Sequence, residues 1–326
     1  MLRLEQIGTP SAQLRPTRAD LPLVLQGLRA RDSTISGYAC LAVEKMAQQK
    51  LFQPADREAI WDSLQPHLHG PSEETCEWSA RALAALTQHP NLLTDTILPQ
   101  AYAKTLAMLG TNATDVRRRG AGLSRHLAPR LTTDQQGQLV GALLTLPVAS
   151  AEDHASQNAT AQCGVILLAA LVTAVPYVKQ EDLANNLATR LLTVVEDDAR
   201  SGQSATIAQA GSWLPRQGAC LIGLAQLASV TKRTTRDQIV ATVLQATSDT
   251  RLSYSQTSGR VSPPKHAGAD ALALLVPSLT REELATATQA IPARSPQQKP
   301  DDYASMYTAV KAALATRREA LPQVPK

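Results

Sequence analysis

Asp115-Val116-Arg117-Arg118-Arg119-Gly120-Ala121-Gly122-Leu123 is the stretch from which the fold can be read. With about 3.6 residues per turn, Val116, Gly120, Leu123 and Leu127 share one stripe, so the segment predicts an amphipathic helix over 112–128. The Gly-Ala centre puts the smallest side chains where a second helix can approach closely. Related centres recur at Tyr38-Ala39-Cys40-Leu41, Ser79-Ala80-Arg81-Ala82-Leu83, Gly164-Val165-Ile166-Leu167, Gly218-Ala219-Cys220-Leu221 and His266-Ala267-Gly268. Their landmarks at 39, 80, 121, 165, 219 and 267 are 41, 41, 44, 54 and 48 residues apart. A near-constant step long enough for two helices marks a tandem array, because one helix pair cannot bury its apolar stripe alone.

Apolar residues recur at steps of three and four almost everywhere, and no period-2 run of β-branched residues stands out. The pattern predicts helices over 17–30, 34–49, 54–68, 72–88, 94–109, 112–128, 132–146, 156–175, 179–196, 216–229, 234–247, 266–276, 280–291 and 301–319. Thr132 with Gln135, and Thr280 with Glu283, have the spacing of capping boxes. The two long steps contain Asp197–Pro215 and Ser248–Lys265, and Pro147–Asn158 is a third extended segment. All three fall between the two helices of a unit, so they are expected to emerge as loops on one edge of the array.

The Asp115–Leu123 run resembles the HEAT pattern, in which an Asp ends the turn within the repeat, Val-Arg opens the second helix, and Ala and Leu follow. Arg81-Ala82-Leu83 and Arg216-Gln217-Gly218-Ala219 are looser echoes. The spacing is equally that of armadillo repeats. The resemblance implies an all-α fold, a right-handed α-α superhelix of about six helix pairs over 17–291 with a protein-binding concave face. It implies no catalytic residue. Residues 1–16 are expected to form an irregular arm, and 292–326 a linker, a capping helix and a tail. Asp301 and Asp302 at the start of that helix, and Arg317 and Arg318 at its end, complement its dipole.

Composition narrows the function classes. Only 3% of the 326 residues are aromatic against 44% hydrophobic, so the core must be Leu, Ala, Val and Ile. Such side chains fill narrow interhelical seams rather than one thick core. The longest apolar run, Val165–Val175, is relieved by Thr173 and falls short of the roughly 18 residues a membrane span needs. The first sixteen residues hold no apolar core of a secretory signal. Cys40, Cys76, Cys163 and Cys220 make no CxxC pair, so neither a disulfide scaffold nor a zinc site is expected. GxSxG, P-loop, GxGxxG-after-strand and HExxH motifs are missing from the sequence. The reading is a non-enzymatic scaffold without metal or cofactor, in the cytoplasm or, as an effector from a bacterium, in a host cytosol. The enzyme alternative would place a site at the extended loops near Trp213 and His266.

The net charge of +4 conceals bands: −5 over 51–100, +4 over 101–150, −4 over 151–200 and +5 over 201–300. The basic band centres on the helix at 112–128, where Arg118 and Arg125 are expected to point away from the buried stripe, flanked by Arg117, Arg119 and His126. Positions equivalent to Arg118 are Ser36, Glu77, Gln162 and Arg216, a polar column expected on the concave face. With Trp213, Tyr254 and Arg260 from the loops, Glu77, Arg118, Arg125, Gln162 and Arg216 are the candidate partner contacts, since aromatics and arginines anchor interfaces. The favoured partner is a protein. Nucleic acid could meet Arg117, Arg118, Arg119 and Arg125, but the flanking bands are acidic and stacking aromatics are scarce.

Overall fold

A computed structural model of the chain describes residues 2–8, 15–69, 73–87, 97–112, 114–147, 159–201, 206–209, 212–254, 265–294 and 299–320. Among them are helices α1 (Leu2–Gly8), α2 (Leu21–Leu28), α3 (Ser33–Gln48), α4 (Arg57–Leu64), α5 (Glu73–Thr87), α6 (Ile97–Gly110), α7 (Thr114–Leu127) and α8 (Thr133–Leu144). Then follow α9 (Ala159–Ala174), α10 (Glu181–Ser201), α11 (Arg216–Leu227), α12 (Arg233–Ala246), α13 (Ala267–Leu275), α14 (Arg281–Ala290) and α15 (Pro300–Ala320). The chain divides into two compact units, Met1–Gln135 and Gln136–Lys326.

The predicted helices are present, and their caps explain where they start. Thr280 accepts from the Glu283 N–H at 3.3 Å while Glu283 accepts from the Thr280 N–H at 2.7 Å. Thr132 and Gln135 do the same at the start of α8, at 3.3 and 3.1 Å. Each box satisfies donors that a helix start leaves without partners.

In both units the helices form two layers. Second helices stack on one another, α3 on α5 and α5 on α7 in the first unit, α9 on α11, α11 on α13 and α13 on α15 in the second. First helices do likewise, α2 on α4, and α10 on α12 on α14. The seams use the small residues. A Cβ on Gly37 would lie 2.1 Å from the Trp78 ring, which stacks on Tyr38 with centroids 6.3 Å apart. A Cβ on Gly268 would lie 2.6 Å from the Ala246 carbonyl oxygen, a backbone atom that cannot step aside. Ala39, Ala121, Ala219 and Ala267 are completely buried; in α5 Ser79 and Ala82 are completely buried, on either side of the partly exposed Ala80.

Two expectations are overturned. Within the expected irregular arm, Leu2–Gly8 form α1, which docks on α3 with Leu4 and Ile7 buried; residues 9–14 lie outside the described residues. Leu4 fits because Gly27 has no side chain; a Cβ there would lie 2.6 Å from a Leu4 methyl. Lys45 donates to the Ile7 carbonyl at 2.6 Å, capping the C-terminal turn of α1. Nor are the long insertions purely loops. α10 continues to Ser201, and an antiparallel ribbon follows, β1 (Thr206–Gln209) with β2 (Ser212–Pro215), in register Thr206↔Pro215 and Ala208↔Trp213. A second ribbon pairs β3 (Ser253–Tyr254) with β4 (Lys265–His266). Strands of two and four residues are too short to give a period-2 signal.

Candidate functional site

The two ribbons leave the second unit at the same place in successive repeats, just before α11 and just before α13. They come together: β2 lies beside β3 and beside the short turn Thr250–Leu252, while β1 rests on α9 and α11. The strands that carry Trp213 and Tyr254 are therefore neighbours; the third extended segment, at 148–158, lies outside the described residues.

Each ribbon is anchored by a buried polar residue. Arg216 opens α11 with 1% of its side chain exposed, and its Nε lies 3.5 Å from Asp198 of α10. Burial pushes the Asp198 carboxyl up to about 6; the Arg216 guanidinium opposes the rise and Asp197 adds to it. Cys220, one turn further along α11, has its thiol pushed up strongly by burial. Such a thiol is inert packing rather than a nucleophile. At the second ribbon, His266 is 1% exposed and caps α13, its Nδ1 accepting from the Ala269 N–H at 3.2 Å. That leaves Nε2 to donate to the Asp249 carbonyl at 2.8 Å, the tautomer being assigned from this network. The ring also lies against Tyr307 of α15, centroids 5.4 Å apart. Burial holds the imidazole below its usual range. Both ring nitrogens are committed, so His266 secures a helix start and is not poised for proton transfer.

The polar column is placed differently from expectation. Arg118 is 5% exposed, Arg216 1% and Ser36 2%, so none forms a solvent-facing strip. The reason is packing: α7 contacts both α5 and α6, and its buried arc takes in Arg118, Ala121 and Ser124 besides Gly120, Leu123 and Leu127. Arg125 is half-buried. Arg117 donates to the Thr111 carbonyl and, at 3.1 Å, to Asn112 Oδ1, so it closes the turn before α7. Of the four arginines of α7, Arg118 is buried and Arg117, Arg119 and Arg125 are partly exposed. His126 beside them is pushed down to about 4, by burial first and then by Arg125 and Arg81. Glu77 lies on α5, Gln162 on α9, Trp213 on β2 and Tyr254 on β3, with side chains outside the described residues; Arg260 lies outside them altogether.

Sequence reasoning missed Asp198. Its signal was present: Glu196, Asp197 and Asp198 crowd the C-terminal end of α10, where the helix dipole disfavours negative charge. Among the described residues no group of acids, histidines and cysteines could hold a metal, and no helix is long and apolar enough to cross a membrane.

No family model matches the sequence, and no curated protein matches it. Solved structures do resemble it. Kap121p bound to Nup53p aligns with a TM-score of 0.53 and 12% identity, over 96% of this chain and 30% of Kap121p. A mutant of Kap121p gives 0.52 and 12%, over 91% and 29%. A designed armadillo repeat protein aligns at 16% identity with a TM-score of 0.42, over 83% of this chain and 98% of that one. This chain spans less than a third of the length of Kap121p, and at 12% identity the likeness concerns the fold. Paired helices in two layers, small-residue seams and this likeness give the chain the fold of a HEAT/armadillo-type α-solenoid repeat protein.

Proposed function

We propose that the protein is a binding scaffold that contacts a partner protein along the ribbon edge of its second unit, at β2 and β3. The observation that carries this reading is the meeting of two ribbons from successive repeats, which brings positions 213 and 254 onto adjoining strands. Trp and Tyr are the side chains that most often dominate interface energetics. The ribbons stand on a fixed base, since Arg216 and His266 tie them to α10, α11 and α13. A surface ordered beforehand loses less entropy on binding. The fold supports the same reading, in that Kap121p is seen with Nup53p bound. The buried, structurally committed Cys220 and His266 support a scaffold over catalysis at this edge.

A photo-crosslinking amino acid placed at 213, at 254 and, as a control, at exposed Thr286 on α14 tests the proposal. Positions 213 and 254 are expected to capture one shared protein that Thr286 does not. Replacing Trp213 and Tyr254 with Ala is expected to cut its recovery at least about tenfold with unchanged helical circular dichroism. Capture of the same proteins from all three positions would overturn the reading.

A further inference from the structure

We propose a second binding site, distinct from the ribbon edge: a groove between the first-layer helices α8 and α10 that takes an acidic peptide, with the peptide carboxylate on Arg190. The groove has a volume of about 470 Å³, within the range of roughly 300–1,000 Å³ typical of ligand pockets.

The other junctions of this layer in the second unit show what is different here. Between α10 and α12, Lys232 pairs with Asp182 at 2.9 Å, and the Lys232 N–H donates to Asn185 Oδ1 at 3.0 Å. Between α12 and α14, Arg236 grips Glu283 with both Nη atoms, at 2.8 and 2.9 Å, and donates to the Ser278 carbonyl. At the α8–α10 junction the described residues supply the cation without an acid. Arg190 Nη2 donates to the Leu146 carbonyl at 2.9 Å, which fixes the side chain, and its Nε is buried, so Nη1 is the end of the guanidinium left for a ligand. Among the described residues no carboxylate lines the groove. A guanidinium that one carbonyl holds in place, and that no carboxylate among the described residues neutralises, is matched by a carboxylate from outside.

The remaining lining favours a peptide over a bare anion. Thr145, Thr189 and Thr193 each give their hydroxyl proton to a carbonyl of their own helix, those of Ala142, Asn185 and Thr189. Their oxygens are left as acceptors, suited to the N–H groups of an extended chain. Leu144 and Leu183 supply apolar wall for a neighbouring side chain. Gly141 opens the groove: a Cβ built there meets nothing within 4 Å.

Two fluorescein-labelled hexapeptides, three Leu-Glu repeats and the Leu-Gln counterpart, titrated against the full chain by fluorescence polarisation, test the proposal. The glutamyl peptide is expected to bind about tenfold more tightly or better, the difference one charge-assisted hydrogen bond supplies. Gly141→Phe, whose ring has only the groove to enter, is expected to weaken it at least about tenfold, a site-blocking effect, while Gly141→Ala retains binding. Arg190→Met is expected to erase the preference for Glu over Gln, and Arg190→Lys to keep part of it. Should Arg190→Met fail to fold, the Gly141 pair decides the question alone. Absent binding, equal binding of the two peptides, or undiminished binding by Gly141→Phe overturns the proposal. Glutarate competing as well as unlabelled peptide would make this a small-carboxylate site and overturn the peptide assignment.

Discussion

Two Arg–Asp pairs hold the non-repeat elements to the repeats, and they work in opposite senses. In the first unit Arg3 of α1 clasps Asp20 at 2.5 and 3.0 Å, and Asp20 also accepts from the Thr17 N–H and hydroxyl, both at 2.8 Å. The Arg3 hydrogen bond is the main reason its carboxyl sits near 2. In the second unit Arg216 and Asp198 are 3.5 Å apart at the base of a ribbon, and burial drives Asp198 up to about 6. Arg3 is half exposed and Arg216 is sealed. The same residue types therefore favour folding at one end and oppose it at the other, because desolvating both charges costs more than a long contact returns. What the buried pair provides is position: it fixes α11 and its ribbon against α10.

The largest effect that could break this comparison is at Asp198. Asp198→Ala leaves a guanidinium in the core and is expected to cost about 3–5 kcal/mol in urea unfolding. Asp198→Leu with Arg216→Met, which removes both charges, is expected to recover most of that loss. A cost below about 1 kcal/mol for Asp198→Ala would mean that Arg216 does not depend on it. Next is Asp20→Ala, expected to cost about 1.5–3 kcal/mol, with faster hydrogen exchange in α1 as its local mark.

Acidity separates the pairs by sign. Asp20 lies below its ordinary 3.8, so its contribution is complete above that pH and is lost as pH falls towards about 2. Asp198 lies above 3.8, so the folded chain binds its proton more tightly, and stability declines as pH rises from 3.8 through about 6. The urea midpoint of the wild type relative to Asp20→Asn should climb over the first window. That relative to Asp198→Asn should drop over the second. Matching slopes would end the contrast. The smallest expected effect is an absence of reaction: Cys220, fully buried beside this pair, should resist iodoacetamide in the native state. Native labelling would show that the site opens to water.

Helix positions were legible in the sequence because helix starts are written locally. The Thr280–Glu283 box needs only four residues, and the seam residues Ala39, Ala121, Ala219 and Ala267 need only spacing. The direction of Arg118 was not legible. A single apolar stripe marks one buried face, whereas α7 is packed by both α5 and α6, and the second contact can enclose an arginine as readily as a leucine. α1 was hidden for a related reason: three apolar residues in a seven-residue helix make no periodic signal, and the notch that receives Leu4 belongs to Gly27. The ribbon edge was half visible, through the long steps of the repeat, but Asp198 is 18 residues from Arg216 in sequence and their pairing exists only in three dimensions.

α1 sits on α3 as α3 sits on α5. Every second helix in such an array presents a sticky flank to the next, and nothing in the pairing rule says when to stop. The short helix covers that flank on α3. Unlatched from Asp20 and Lys45, it would bare the Gly27–Ala39 notch to any apolar helix of similar shape, including one from another copy of the chain. A head-to-tail contact of that kind gives a ring where its rotation closes and an open filament where it does not. The seven residues of α1 thus keep an apolar flank of α3 covered.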